Sequence, residues 1–214
     1  DHTEDAGIFS DEALRAYAAV VFLSTTGDVL DQGQQEAFER FISGGGGFVG
    51  IHAAADTEYD WAFFGDLVGA YFQGHPPVQE ATILVEDLDH PSTAHLSQEW
   101  VRRDEWYDYR TNPRSVLPSD ADDAAPPRSG GAGGEASDPP RIRILASLVE
   151  SSYAGGKMGE DHPIAWCHEW AGGRAWYTGG GHTSEAFAEP DFLRHIAGGI
   201  LWAAGVETGE APAR

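Results

Sequence analysis

Residues 31–56 read DQGQQEAFERFISGGGGFVGIHAAAD, a stretch that runs from helix through stop and strand to a sharp turn. Asp31 to Ser43 is amphipathic, with Phe38, Phe41 and Ile42 on one face, which predicts a helix packed on a core. Gly44 to Gly47 stop it, because glycine accepts the left-handed backbone of a helix end. Gly47 to Ile51 then forms a short apolar run of buried-strand type. Such strands alternating with helices predict an α/β fold whose sheet is mainly parallel and covered on both faces.

The same alternation extends outward. Ala19 to Leu23 (AVVFL) reads as a buried strand followed by polar Ser24, Thr25 and Thr26. Asp60 to Phe72 reads as an apolar helix, Ala81 to Val85 as a strand, and Trp100 to Tyr109 as strand-like. Ile142 to Val149, Ile164 to Glu169 and Arg174 to Thr178 read as three more strands, with a tight hairpin turn at Gly172-Gly173. A last helix runs from about Pro190 to Ala204. Pro118 to Pro140 has no large apolar residue and cannot offset its ordering entropy, so it reads as a disordered insert. The expected organisation is one domain over 1–205 with an insert at 118–140 and a tail at 206–214.

Composition narrows the ligand. The 35 acidic against 13 basic residues give a net charge of −22, which repels phosphate backbones and anionic membranes. A neutral sugar or a cation is the easier partner; nucleic acid and membrane are not expected, and a homo-oligomer stays open. No run approaches the ~20 apolar residues of a membrane helix. One cysteine, Cys167, allows no internal disulfide and reads as core, so localisation is left open. No GxGxxG follows a strand and opens a helix, as a dinucleotide fingerprint requires, and no GxxxxGK[ST] phosphate cradle is present, so no nucleotide cofactor is expected.

The chemistry concentrates at Gly50-Ile51-His52-Ala53-Ala54, where small residues after a buried strand suit an elbow that exposes one side chain. His52 there can act as a metal ligand or general base, or serve as a structural histidine. Asp56, four residues on, is placed to orient the imidazole. His75 is fixed between Gly74 and Pro76, and His182 follows the glycines Gly179 to Gly181 after a strand, the usual place of an α/β ligand site. Those glycines predict close backbone approach or an anion nest. Asp104, Glu105, Trp106 and Tyr107 put acids beside two aromatics able to stack on a sugar, or else form a strand alternating exposed acids with buried aromatics.

Taken in order, VVFLSTTGDVL, FISGGGGFVGIHAAADTEYDW, LVGAYFQGHP, VEDLDHPSTAHL, DEWYDYRTNPR, HPIAWCHEWAGGRAWYTGGGHTSEAF and FLRHIAGGILWAAG resemble the trehalose-utilisation (ThuA-like) family. The resemblance implies a class I glutamine amidotransferase-like, flavodoxin-like three-layer sandwich with a mainly parallel central sheet. The amidotransferase elbow cysteine is replaced by His52, so glutaminase chemistry is not expected. The family normally opens with one further strand and helix, so a first βα unit is expected to be missing. Its actinobacterial members often sit in larger secreted proteins, which leaves both a secreted and a cytoplasmic location open.

The family's recurring polar positions fall on His52, Asp56, His75, Glu105, Tyr107 and His182. These imply a carbohydrate-processing pocket: His52, Asp56, Glu105 and Tyr107 as catalytic groups, and His52, His75, His182 and Glu105 as ligands of a divalent metal, zinc first. Trp106, Thr25 and Thr26 are candidate sugar-binding residues. Metal-assisted hydrolysis, lysis or isomerisation of a sugar or oxidised sugar is one expectation. A non-catalytic carbohydrate-binding or accessory domain is the alternative, and an interaction module is a third.

Overall fold

The structure, a computed structural model, describes residues 1–115 and 142–206. The expected insert at 118–140 lies outside the described residues, as does the expected tail from 207 onward. The elements in chain order are α1 (Asp11–Leu14), β1 (Ala19–Leu23), β2 (Thr26–Gly27), α2 (Gln32–Ser43), β3 (Gly47–Ile51), β4 (Asp56–Thr57), α3 (Ala62–Val68) and β5 (Phe72–Gly74). They continue with β6 (Gln79–Val85), β7 (Glu99–Asp104), β8 (Asp108–Tyr109), β9 (Arg143–Leu148), β10 (Pro163–Trp170), β11 (Gly173–Thr178) and α4 (Pro190–Ala203).

The helix predicted from Asp31 starts one residue later because Asp31 is its cap. The Asp31 carboxylate accepts from the Gln34 amide while the Gln34 side chain accepts from the Asp31 amide. Gly44 follows the last turn, and β3 then runs with all five residues buried. Phe22 on β1, Phe38 on α2, Phe48 on β3 and Phe64 on α3 pack into one aromatic cluster on that side of the sheet. Val49 and Trp176 are register partners and face the other side, where α4 lies. Helices therefore cover both faces, as a three-layer arrangement requires.

Seven strands form the main sheet in the order β1-β3-β11-β10-β9-β6-β7. Only β1, β3 and β11 run parallel. The pairs from β11 to β7 are all antiparallel, so the expected mainly parallel sheet is corrected to a mixed one. Parallel neighbours need a crossover, whereas antiparallel ones can be joined by a tight turn. β10 and β11 show the latter: Trp170 pairs with Gly173, and Ala171 and Gly172 between them have φ of 52° and 95°. Both central residues at positive φ make this the hairpin turn whose twist matches the strands. The turn thus sits one residue earlier than the Gly172-Gly173 expected.

Two further readings are corrected at element boundaries. The long helix expected from Asp60 to Phe72 is confined to α3, because Gly69 takes a left-handed conformation (φ 87°) and ends it. The strand expected from Trp100 to Tyr109 breaks after Asp104, leaving Glu105, Trp106 and Tyr107 between β7 and β8.

That break positions the site. Following the pairings across the sheet, β1, β3, β11, β9 and β7 point one way while β10 and β6 point the other. The carboxyl ends of β3, β11 and β7 therefore share one sheet edge with the amino end of β6. His52, His182, Glu105 and His75 all emerge at that edge.

Candidate metal and sugar site

His52 is the first residue after β3 and takes a left-handed backbone, with φ of 52°. A non-glycine residue in that region costs roughly 1–3 kcal/mol, a strain that recurs at functional sites. The imidazole is buried, and its Nδ1 lies 2.9 Å from the Gly179 carbonyl oxygen. A carbonyl can only accept, so Nδ1 bears the hydrogen and Nε2 presents a lone pair. The Tyr177 hydroxyl donates to the His52 carbonyl at 2.9 Å and fixes the elbow from below. Burial pulls the His52 pKa below its ordinary value, only partly opposed by the Gly179 hydrogen bond and by nearby Asp104 and Glu105. The ring is therefore neutral at neutral pH.

Three atoms converge in front of it. His52 Nε2 is 3.3 Å from Glu105 Oε2 and 3.2 Å from His182 Nδ1, and His182 Nδ1 is 3.4 Å from Glu105 Oε2. A tetrahedral zinc with bonds of about 2.0–2.1 Å holds its ligand atoms about 3.3–3.4 Å apart. The triangle thus has the dimensions of one face of such a site. Its inner corners are closed and its outer corner is open: the His52, Glu105 and His182 side chains are 3%, 9% and 45% exposed.

His75 stands differently from the ligand role expected for it. Its Nδ1 lies 3.0 Å from the Pro76 carbonyl oxygen and 3.0 Å from Glu105 Oε1. That nitrogen is a donor to two acceptors and holds the far oxygen of Glu105, behind the triangle rather than at a corner of it.

The Gly179–His182 loop has its own anchor. The Gly181 and His182 amides donate to Asp104 at 2.7 and 3.1 Å, so the expected anion nest exists and is filled by the protein's own carboxylate. Asp104 is fully buried and paired with Arg102 at 2.8 Å, and Arg102 also pairs with Glu189 at 2.9 Å. Close approach accounts for the first glycine: a Cβ on Gly179 would lie 2.3 Å from the Tyr109 hydroxyl. Arg102 and the positioning role of Asp104 escaped the sequence reading. The signal available was a pair of opposite charges two residues apart in a strand, which places both on one face.

The remaining expected site residues separate into near and far. The Tyr107 ring packs against His52 at 4.1 Å and against Phe72 at 4.3 Å, making one wall. Asp56 accepts from the Tyr59 hydroxyl at 2.5 Å, so the orienting role expected of it toward His52 is taken by the Gly179 carbonyl instead. Thr25 is joined to Thr57 at 2.9 Å, and Thr26 is exposed and pairs in register with Asp56. Trp106 is corrected outright: it is fully buried and its indole N–H is committed to the Gln79 carbonyl at 2.9 Å, so its ring has no face for a sugar. A cleft of about 390 Å³ opens near Leu14, Phe41 and Ala204, at the amino ends of β1 and β3.

These features define an α/β domain with a mixed central sheet and a histidine–carboxylate cluster on a strained elbow. The chain belongs to the family described as ThuA, trehalose utilisation, whose model matches residues 1–129 and 134–203. Among solved structures, a ThuA-like protein from Bacteroides uniformis ATCC 8492 is similar at 24% identity and a TM-score of 0.73, covering 99% of this chain and 79% of that one. A second, from Parabacteroides merdae ATCC 43184, is similar at 21% identity and a TM-score of 0.70, covering 93% of this chain and 75% of that one. A β-galactosidase from Bacillus circulans sp. alkalophilus shares the fold at 13% identity and a TM-score of 0.53, over 88% of this chain and 23% of its own. No curated protein matches the chain in sequence.

Proposed function

We propose that the His52–Glu105–His182 triangle binds a divalent cation, zinc by its donor set, and that the domain uses it to process a sugar or oxidised sugar. The observation that carries this is the Nδ1–H of His52 committed to a backbone carbonyl, which aims Nε2 at the other two donors. Metal-bound histidines show that same arrangement. Imidazole and carboxylate suit zinc, and three protein donors with an open side suit a catalytic rather than a structural site. A cation held there supplies a Lewis acid able to polarise a sugar carbonyl or hydroxyl, or to lower the pKa of water.

The chain's own groups do the rest. His75 fixes the carboxylate of Glu105 so that Oε2 stays turned inward. Tyr107 walls the inner side against His52. The family's description and the family's recurring positions favour a carbohydrate as the ligand.

The test pairs metal analysis with turnover. Purified protein is expected to carry zinc that His52→Ala loses, and a panel of sugars and keto-sugars is expected to yield turnover that falls at least ~100-fold in the variant. A wild-type protein that takes up no zinc, or a His52→Ala protein with unchanged zinc and turnover, would overturn the reading.

A further inference from the structure

A second cluster lies along the same sheet edge, built from Asp108 on β8, Glu150 just after β9 and His162 just before β10. One donor atom from each comes within 4.8 Å of the others. Sequence spacing gives no hint of it, because the three residues come from separated segments that only the sheet brings together.

His162 is fully buried, and its Nε2 lies 2.8 Å from the Tyr107 carbonyl oxygen. The hydrogen is therefore on Nε2, and Nδ1 turns toward Glu150 Oε1 at 3.0 Å and the Tyr153 hydroxyl at 3.1 Å. A neutral imidazole would set its lone pair against a carboxylate oxygen, so a cation is needed between or upon them. Asp108 decides which kind. It is 1% exposed; its Oδ1 accepts from the Lys157 amide at 2.8 Å, while its Oδ2 is buried with no partner. A proton on His162 would satisfy Glu150 but leave that oxygen orphaned, and a buried unpaired carboxylate oxygen is costly. One divalent cation among the three groups answers both needs.

We infer that Asp108, Glu150 and His162 form a second divalent-cation site that takes zinc. One imidazole with two carboxylates suits zinc and is too poor in oxygen donors for calcium. The imidazole again donates its other N–H to a backbone carbonyl, the arrangement that orients a ligating histidine. The cation ties the loop from Glu150 to His162, whose Met158 amide also donates to Glu150 at 2.6 Å, onto the short strand β8. Through the His162–Tyr107 bond it also holds the residue that walls His52. Asp108 and Glu150 enter as ligands of a positioning site, not as catalytic residues.

The experiment counts zinc per chain in the wild type, Glu150→Gln, Asp108→Asn and His52→Ala, by elemental analysis after dialysis and by chelator competition. Circular dichroism verifies folding of each. Expected is loss of one zinc equivalent in Glu150→Gln and in Asp108→Asn, with the His52-dependent equivalent kept, and retention of that second equivalent in His52→Ala. Zinc should raise the Tm of His52→Ala by several degrees, and calcium should not. If Asp108→Asn fails to fold, the half-buried Glu150→Gln and the His52→Ala titration still decide. Zinc lost with His52 but untouched by Glu150→Gln overturns the second site alone. Zinc lost with Glu150 but untouched by His52→Ala overturns the first alone, and a zinc-free wild type overturns both.

Discussion

At the scale of single residues, the decisive facts concern where each polar atom is spent. His52 was legible in the sequence, because small residues after a buried run announce an elbow. Its positive φ and the Gly179 carbonyl that orients it were not, since that contact spans 127 residues of chain. Trp106 failed for the converse reason. An aromatic beside an acid reads as a sugar platform, yet strand alternation does not say which aromatic keeps an open face. Trp106→Phe removes the only donor to the Gln79 carbonyl that Trp106 offers, and also shrinks a core side chain. The expected cost is about 1–3 kcal/mol in urea unfolding, with no change in the KM for any sugar turned over. A large rise in KM at unchanged stability would restore Trp106 to the pocket.

At the scale of elements, most strands and helices were read well, because a compact apolar run or a single apolar face marks each of them. β1, α2, β3, β11 and α4 fall within a residue or two of their expected bounds. Strand direction was not legible, because buried parallel and buried antiparallel strands look alike in a short window. The site loop after β11 shows what element-level contacts add. Its two amides rest on Asp104, and Asp104 rests on Arg102, so the end of β7 sets the position of His182. Asp104→Asn leaves Arg102 with Glu189 alone and turns an amide nitrogen toward donors that cannot accept it. Breaking a buried pair in this way costs roughly 3–5 kcal/mol. Urea midpoints should fall accordingly, and zinc affinity should fall with them as His182 loses its register. An Asp104→Asn protein of wild-type stability and affinity would mean the loop is held elsewhere.

At the scale of the whole molecule, pH should act through buried histidines more than through the large negative charge. His90 and His168 are held down to about 4 and His195 to about 3, each mainly by burial. His168 donates from Nε2 to the Asp66 carbonyl, so its buried, unpartnered Nδ1 is a lone pair in the neutral ring and would be an orphaned N–H in the imidazolium. A histidine depressed in the folded state takes up its proton first in the unfolded state. Its contribution is complete above the ordinary value of 6.5 and drains away as pH falls toward the folded value. Each ring then costs about 1.4 kcal/mol per pH unit. Falling pH also relieves the self-repulsion of a chain carrying −22, which pushes the other way. Carboxylates titrate near pH 4, however, so between pH 6.5 and 5 that relief is small and the histidines win. With metal removed by chelator, unfolding free energy is expected to drop by about 3–6 kcal/mol over that interval. Stability that stays level or rises between pH 6.5 and 5 would show that the three rings are not neutral in the folded protein.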